Sequence, residues 1–347
     1  MKSNRTNGKV NVAVVGLGFM GVMHIKTYQK LKAANIVAVC DSVRVPVNGV
    51  LAGVTGNIAG TEAIDLGRQV RVYRALEDLL SDSEVDLVDL CVPTVMHPAQ
   101  SIAALKAGKH VLCEKPLALS AVEGRKIVQA AQTARGFFMP AMCMRFWPGW
   151  SFLKQMVKEK PYGKVQAASF RRVSPMPGWS KATYSSGKLS GGALLDMHIH
   201  DTDFVQFLFG RPKSVFATGV TRGDSIDHVV TQYSFPGGPT VHAEGSWLLT
   251  GNFSMSYVVL CERATLEYDS ARGAEALRIA EQGKTPRVEK CDEADGYTGE
   301  ISHMLEAIQT GKAPKVVTAR DALSAVQICE AEAKSVRSGR VVAVPPA

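Results

Sequence analysis

A lysine that directly follows an apolar segment is the first residue of this 347-residue sequence that is placed to do chemistry. Lys115 stands in the triplet Glu114-Lys115-Pro116, after residues 110–113, which we predict to form a buried strand. Ligands of open α/β folds bind at the carboxyl ends of parallel strands. Partial burial there would lower the pKa of the lysine toward neutrality, so Lys115 is a candidate proton-transfer group, with an ordinary surface lysine as the alternative.

A carboxylate and an imidazole four positions apart form the second candidate group. Gly191 and Gly192 lead into a helix that we predict to run to about residue 209. At 100° per residue, Asp196, His200 and Asp203 fall on one polar stripe of this helix. Side chains one turn apart share a face, so Asp196 and His200 could both act on one substrate hydroxyl.

Histidines and acids are dense enough in the same segment to raise the question of a metal site. The candidate ligands are His198, His200, Asp201 and Asp203. Their side chains diverge around a helix and no two histidines are spaced i, i+4, so we predict no metal. His198 lies almost opposite His200 on this helix, and we interpret it as structural.

Three glycines near the N-terminus form a phosphate-binding pattern in a suitable context. They follow a predicted strand at residues 10–15 and open a predicted helix. In such a turn the first glycine permits the sharp bend, the second lets the backbone approach a pyrophosphate, and the third allows close packing of helix on strand. The phosphates then lie at the helix N-terminus. The predicted cofactor contacts from this turn are Gly16, Gly18, Phe19, Met20 and Gly21.

An acid about 20 residues farther along completes the dinucleotide pattern. Asp41 follows the second predicted strand, where a carboxylate accepts the hydroxyls of the adenosine ribose. Ser42 and Arg44 come next and could instead bind the 2′-phosphate of NADP. We predict NAD or NADP as the cofactor, with NAD favoured. The positive ring of the oxidised nicotinamide would further lower the pKa of Lys115.

The remaining patterns predict an α/β protein of two domains. Residues 10–136 alternate short β-branched runs with helical segments, which is typical of a doubly wound parallel sheet with right-handed crossovers. Alternating segments from 165 to 266 predict a large, mostly antiparallel, open sheet. We place a Rossmann domain at 1–140 and an α+β domain for substrate binding and oligomerisation at 141–347. The C-terminal helices of the second domain could pack back on the first.

Composition narrows the class of protein. The 40 Lys and Arg exceed the 32 Asp and Glu by eight, but the basic residues are scattered, which argues against nucleic acid. The seven cysteines are far apart and form no CxxC pair, so neither a disulfide framework nor a zinc site is predicted. No apolar run approaches the roughly 18 residues that span a bilayer, and the polar leader at 1–9 is no signal peptide. We expect a cytoplasmic protein with no membrane partner.

The order of these motifs resembles that of the family named for glucose-fructose oxidoreductase, inositol dehydrogenase and MocA, over nearly the whole chain. The family has a glycine fingerprint, a Glu-Lys-Pro after a strand, and a Gly-Gly entry to Asp-x-x-x-His on a helix. In this sequence the three motifs are residues 16–21, 114–116 and 191–200. Each motif is weak alone, and together they are fairly specific.

The resemblance implies an NAD(P)-dependent dehydrogenase or reductase that acts on a CH–OH group of a sugar or polyol. It implies that Lys115, Asp196 and His200 form the catalytic group, and that the protein is a homodimer or homotetramer joined through the open sheet. Residues implied to lie beside the cofactor are Pro93, Thr94, His97, Glu114 and Lys115. Arg145 is implied to face the substrate. For Trp147, Trp179 and Tyr184 we predict either stacking on a sugar or packing in the core or an interface.

Two departures from the family pattern accompany the resemblance. Residues 43–70, where a helix usually follows the second strand, are rich in glycine, so we expect a loop there. His198 stands where glycine is common in the family. The alternatives to a net oxidoreductase are a redox-neutral enzyme that oxidises and re-reduces its substrate with retained NAD, such as a glycosidase or an epimerase, and a non-catalytic NAD(P)-binding regulator.

Overall fold

The chain forms two compact units in the computed structural model, which describes residues 8–54, 56, 62–178, 180–291 and 294–346. The first unit comprises the chain up to Cys143 together with Tyr297–Leu323. The second comprises Met144–Gly296 together with the chain from Ser324 onward. Among the described residues, no helix is both long and apolar enough to cross a membrane.

A parallel sheet organises the first unit. Its strands are β1 (Val10–Val15), β2 (Ala34–Cys40), β3 (Val50–Leu51), β4 (Ile64–Asp65), β5 (Arg71–Tyr73), β6 (Leu87–Leu90), β7 (His110–Glu114) and β8 (Phe138–Ala141). Six of them pair in parallel in the order β5-β2-β1-β6-β7-β8, while β3 pairs antiparallel with β4. Every residue of β1 and β6 is buried, which explains their continuous apolar character. The strand order reverses between β1 and β6, so ligands are expected at the carboxyl ends of these two strands.

The helices alternate with the strands of the first unit and are more scattered in the second. They are α1 (Phe19–Lys30), α2 (Leu76–Leu80), α3 (His97–Lys106), α4 (Ala121–Thr133), α5 (Pro148–Glu159), α6 (Lys181–Tyr184), α7 (Gly187–Ser190), α8 (Ile199–Phe209), α9 (Gly296–Thr310) and α10 (Ala319–Ser338). A π-helical turn at Leu194–His198 runs directly into α8. Because crossovers between parallel strands are right-handed, α1 and α3 lie on opposite faces of the parallel sheet.

A nine-stranded sheet organises the second unit. Its strands are β9 (Val165–Val173), β10 (Ser214–Arg222), β11 (Ser225–Ser234), β12 (Thr240–Ser246), β13 (Ser254–Cys261), β14 (Ala264–Asp269), β15 (Leu277–Glu281), β16 (Arg287–Glu289) and β17 (Val342–Ala343). They are ordered β16-β15-β14-β13-β9-β12-β11-β10-β17, and every pair is antiparallel except β9 with β12. Buried and open residues alternate along the strands, so one face carries the core and the other is open.

Aromatic side chains fill the core between this sheet and the helices beside it. The Trp150 indole of α5 meets the rings of Tyr257 and Phe204 edge-on, with centroids 5.2 and 6.5 Å apart. Phe170 of β9 lies 6.2 Å from Phe204. Edge-to-face contacts of this kind suit the ring quadrupoles and add to the burial of apolar area. Helix α8 is therefore seated on β9 and β13 through Phe204.

The predicted fold class is confirmed, with a parallel sheet followed by a large, mostly antiparallel, open one. The described residues of 43–70 contain no helix and form the short pair β3 and β4. Gly49 and Gly67 both have positive φ, at 84° and 77°, which a regular helix could not accommodate. The absence of a helix after β2 is thus a consequence of the glycines in this segment.

Candidate active site

The glycine turn after β1 has the shape of a phosphate cradle. Gly16 has φ of 86°, and a Cβ there would lie 2.6 Å from the carbonyl oxygen of Cys91. A Cβ at Gly21 would lie 1.9 Å from the carbonyl oxygen of Gly16. A Cβ at Gly18 would meet nothing within 4 Å. Gly16 and Gly21 therefore serve the turn itself, while Gly18 leaves open space at the N-terminus of α1, where a pyrophosphate would fit.

The two residues between Gly18 and Gly21 differ in their surroundings. Phe19 is buried, and its ring packs so closely on Gly56 that a Cβ at Gly56 would lie 1.9 Å from it. Met20 is half-buried. The Phe19 side chain thus connects the start of α1 to the glycine-rich segment 43–70. Cofactor contact by either residue stays a prediction.

Asp41 is held rigidly at the end of β2. Its Oδ2 accepts a hydrogen bond of 2.8 Å from the backbone N–H of Leu17 in the glycine turn. Its Oδ1 accepts from the N–H groups of Val43 and Arg44, at 2.8 and 2.9 Å. The carboxylate is half-buried, so it keeps an open side toward which a ribose hydroxyl could donate.

The two residues predicted as alternatives for a 2′-phosphate have other contacts. The Arg44 guanidinium donates to the carbonyl oxygens of Ala52 and Gly53, at 2.7 and 3.4 Å. Ser42 is exposed, and its carbonyl oxygen accepts from Arg74 at 3.3 Å. Arg44 is thus engaged by the backbone, whereas Asp41 presents a negative charge.

His97 joins the loops that follow β6 and β7. It is buried, with Nδ1 2.8 Å from the carbonyl oxygen of Pro116 and Nε2 3.0 Å from that of Val92. Burial lowers the pKa of His97, outweighing the two carbonyl contacts that favour the charged form. Pro93 is exposed and Thr94 is half-buried at the start of a 3₁₀ turn. His97 thereby fixes the turn containing Lys115, and its predicted contact with cofactor stays a prediction.

Lys115 and Glu114 lie at the carboxyl end of β7, as the sequence indicated. Lys115 is half-buried, and its backbone N–H donates 3.0 Å to Oε2 of the buried Glu114 side chain. Burial alone would raise the pKa of Glu114, but the adjacent His24 and Lys115 charges hold it below the ordinary value. Glu114 is therefore a carboxylate at neutral pH, next in sequence to the candidate proton-transfer lysine.

Asp196 and His200 are the two partly exposed residues of an otherwise buried segment. Within residues 192–205, these two are half-buried and all the others are buried. A regular helix was predicted from 193 onward, but Asp196 lies in the π-helical turn that precedes α8. Such turns are rare and frequently occur at functional sites. Gly191 and Gly192 precede the turn with φ of 78° and 70°, and a Cβ at Gly192 would lie 2.6 Å from Ser225 Oγ.

The two acids that follow His200 in the sequence, Asp201 and Asp203, both form buried ion pairs. Asp203, predicted on the stripe with Asp196, accepts from Arg145 Nε and Nη2 at 2.8 and 2.7 Å. Asp201 accepts from Arg172 of β9 at 2.9 and 3.1 Å. Removing one partner of such a pair costs about 3–5 kcal/mol because the other charge stays buried. Asp203, which the helical count places on a polar stripe with Asp196 and His200, is thus buried and paired with Arg145.

Arg145 has a structural role within the second unit. Besides its bond to Asp203, its guanidinium lies 4.5 Å from the centroid of the Phe207 ring. Sequence reasoning missed this pairing because Arg145 and Asp203 are 58 residues apart. The predicted contact of Arg145 with substrate stays a prediction.

His198 is structural, as interpreted, and its space is provided by a glycine on the sheet. Its Nε2 lies 3.2 Å from Tyr233 Oη and 3.5 Å from Glu332 Oε1. A Cβ at Gly245 of β12 would lie 2.6 Å from the Cβ of His198. Burial alone would raise the pKa of Glu332, but His198, Tyr233 and Thr202 together hold it below the ordinary value.

The structure gives a different result for each of the three aromatic candidates. Tyr184 meets Trp247 edge-on, with centroids 5.6 Å apart, and packs on the buried cluster of Ala193 and Met197. Core packing, one of its two predicted roles, is therefore present. Trp147 is half-buried and precedes α5, and Trp179 lies outside the described residues. Stacking on a sugar stays a prediction for all three.

Comparison with known proteins identifies the family of this chain. A model described as the oxidoreductase family with an NAD-binding Rossmann fold matches residues 10–141, and the GFO/IDH/MocA C-terminal domain matches residues 150–267. Together they cover well over half of the chain. The chain belongs to the GFO/IDH/MocA family.

Some relatives of this GFO/IDH/MocA protein are named for reactions of sugars or polyols, and others are named trans-1,2-dihydrobenzene-1,2-diol dehydrogenase. It is 28% identical over 295 residues to the 2,7-anhydro-N-acetylneuraminate hydratase of Escherichia coli, covering 82% of this chain and 74% of that protein. It is 24% identical to the myo-inositol 2-dehydrogenase of Thermotoga maritima, covering 96% and 98%. Levoglucosan dehydrogenase, solved with NADH and levoglucosan, has the same fold, with a TM-score of 0.81, 19% identity and coverage of 97% and 100%.

The glycine cradle predicts different effects on stability for two matched alanine variants. Gly18→Ala places its methyl group in open space, so the midpoint of thermal unfolding should stay close to that of the wild type while NADH affinity falls at least about tenfold. Gly21→Ala drives its methyl group into a backbone oxygen, so the protein should lose about 1–3 kcal/mol of stability as well. Thermal unfolding and a fluorescence titration with NADH measure both quantities. Wild-type NADH affinity in Gly18→Ala would contradict the hypothesis that this turn binds the pyrophosphate.

Proposed function

We propose that this GFO/IDH/MocA protein oxidises a ring hydroxyl of a sugar or polyol, or reduces the matching ketone, with NAD as the hydride carrier. The observation that supports this most is the pair of half-buried side chains, Asp196 and His200, in a segment that is otherwise buried. Core packing alone gives no reason for an acid and an imidazole to stay partly exposed within such a segment. Membership of an oxidoreductase family gives the pair its chemical setting.

The proposed mechanism assigns one task to each catalytic side chain. Bound NAD supplies the hydride acceptor, so the chain's own residues need only orient the substrate and move one proton. His200 takes the proton of the substrate hydroxyl. Lys115 donates a hydrogen bond to the same oxygen or relays that proton. Asp196 orients the two groups and stabilises the charge that they acquire.

Removal of either proton-transfer group tests the mechanism. Lys115→Ala and His200→Ala should each lower kcat by about 10² to 10⁴, the usual effect of losing a general acid or base. Nicotinamide absorbance on an accepted substrate measures the rate, and NADH titration shows whether the cofactor still binds. Lys126→Ala is the matched control, because this exposed lysine of α4 contacts only Glu123 at 2.7 Å in the described structure. Near-normal turnover in both active-site variants would end the assignment.

NAD is proposed over NADP because of the charges at the end of β2. A 2′-phosphate would approach the Asp41 carboxylate, which three backbone N–H groups hold in place. Arg44, the cation that could compensate, is bonded to backbone carbonyls instead. The same charge would attract the ribose hydroxyls of NAD.

A substrate and cofactor panel tests the proposed class of reaction. We expect net NADH formation from at least one cyclic polyol among myo-inositol, levoglucosan and related sugars, with kcat/KM at least about tenfold higher for NAD than for NADP. Asp41→Ser should narrow that ratio. The panel includes 2,7-anhydro-N-acetylneuraminate, because a hydratase reaction involves no net oxidation. Product formed without net NADH would replace the proposal with the redox-neutral alternative.

We also propose that the protein assembles as a homodimer or homotetramer through the open face of the second sheet. Cross-strand register places Phe216, Gln232, His242, Ser169 and Val258 in one row across this face. Phe216 and Val258 remain 39% and 36% exposed, an apolar surface that a partner copy would cover. Light scattering should give a dimer or tetramer for the wild type and smaller species for Phe216→Glu. A monomeric wild type at micromolar concentration would refute it.

The cytoplasm is the proposed location of the enzyme. Buried thiols such as those of Cys40, Cys113 and Cys329 suit a reducing compartment. Cell fractionation measures this directly, and recovery outside the cytoplasm would refute it.

A further inference from the structure

A buried histidine lies between two carboxylates in the first unit, next to the loop that carries Lys115. His24 belongs to α1 and has no exposed surface. Its Nδ1 lies 2.8 Å from Oδ2 of Asp89 on β6, and its Nε2 lies 3.2 Å from Oε1 of Glu114 on β7. Neither the predicted cofactor contacts nor the predicted catalytic group includes this residue.

Groups from every element packed on His24 determine its charge. Strand β6 contributes Asp89 and, just beyond its end, Cys91, whose Sγ lies 3.4 Å from Nδ1. Helix α9 contributes Glu300, with Oε1 4.0 Å from Nε2, and the Tyr297 ring at 6.1 Å. The remaining groups are Tyr28 one turn along α1, Glu114 at the end of β7, and Lys115 after it. The carboxylates outnumber the cations around this imidazole.

Each ring nitrogen of His24 lies near a carboxylate oxygen, and this favours the doubly protonated ring. A neutral imidazole has one N–H and one lone pair, so one of its nitrogens would direct a lone pair at a carboxylate oxygen. An imidazolium has no lone pair on either nitrogen and carries a positive charge that attracts both carboxylates. Burial alone would lower the pKa of His24, but the Asp89 carboxylate outweighs it and holds the pKa well above the ordinary value. His24 is therefore an imidazolium at neutral pH.

Glu114 connects this buried cation to Lys115. One of its oxygens faces His24, and the other accepts the backbone N–H of Lys115 at 3.0 Å. An uncompensated carboxylate beside an ammonium stabilises the ammonium and makes its proton harder to release. The imidazolium behind Glu114 offsets that effect.

We propose that His24 is a positioning residue for Lys115, because its imidazolium holds the Glu114 carboxylate in place and neutralises its pull on the Lys115 ammonium. The kinetic consequence rests on the proposed catalytic role of Lys115. The electrostatic effect does not, because it concerns the proton on Lys115 whether or not that proton is used in catalysis.

The proposal predicts opposite signs for two variants. His24→Gln removes a positive charge, so the pKa of the Lys115 ammonium should rise by about 1. Glu114→Gln removes a negative charge and leaves the imidazolium, so that pKa should fall by about 1. The double variant should lie between the two, close to the wild type. Loss of packing alone would not move the two single variants in opposite directions.

The direct measurement is an NMR pH titration of protein labelled with [ε-¹³C]lysine. A spectrum of Lys115→Arg assigns the Lys115 resonance. His303→Gln, which removes another imidazole from the first unit, is the control and should leave the Lys115 titration unchanged. The pH dependence of kcat/KM for alcohol oxidation is the second readout. If Lys115 relays the proton as a neutral amine, the limb set by Lys115 should move to higher pH in His24→Gln, because a raised pKa leaves less neutral amine at a given pH.

Three outcomes would overturn the proposal. The first is an unchanged pKa of Lys115 in a folded His24→Gln protein. If that variant does not fold, a Lys115 pKa in Glu114→Gln that is unchanged or raised serves as the second. The third is one equivalent of metal in the purified protein that His24→Gln loses, since His24, Asp89 and Cys91 would then be ligands. If Lys115→Ala keeps its turnover, the proposed function fails, and the NMR titration still decides the role of His24.

Discussion

Buried charges must be paired, and this constraint determines how both units present their chemistry. Helix α8 carries the half-buried His200, and the two acids that follow it, Asp201 and Asp203, are neutralised inside the second unit. Arg172 pairs with Asp201, and Arg145 pairs with Asp203. Each arginine binds its carboxylate through two nitrogens, which fixes direction as well as distance. A helix held by two such forks has little freedom to rotate about its axis. The orientation of His200 is therefore determined by residues that need not contact a substrate.

The first unit obeys the same constraint with a different result. Three carboxylates, from Asp89, Glu114 and Glu300, converge on the single imidazole of His24. The proton on His24 places a positive charge among these carboxylates. In the second unit the cations are permanently charged, whereas here the compensating charge is a proton. Positioning by arginine is insensitive to pH, and positioning by histidine is not.

Local motifs of the sequence predicted the parts of the site that depend on neighbours in the chain. The glycine turn, Asp41 and the strand before Lys115 depend on contacts or steric limits between residues that are close in sequence. The sequence pattern therefore includes the residues that determine them. The π-helical turn at Leu194–His198 could not be anticipated, because counting 100° per residue assumes an α-helix throughout. That assumption placed Asp203 on one polar stripe with Asp196 and His200. Its actual partner, Arg145, is distant in sequence and carries no local signal.

The pairing of His198 with Gly245 shows how a departure from the family pattern is absorbed. His198, the last residue of the π-helical turn, needs more volume than a small residue would. Gly245 on β12, which has no Cβ, leaves that volume. It also needs polar partners, since a buried imidazole without hydrogen bonds would cost stability. Tyr233 and Thr231 lie within hydrogen-bond distance of its Nε2, and the Glu332 carboxylate lies 3.5 Å from the same atom. The missing Cβ of Gly245 and the hydroxyl of Tyr233 thus accommodate the His198 ring within the second unit. The departure is therefore supported by groups of β11, β12 and α10.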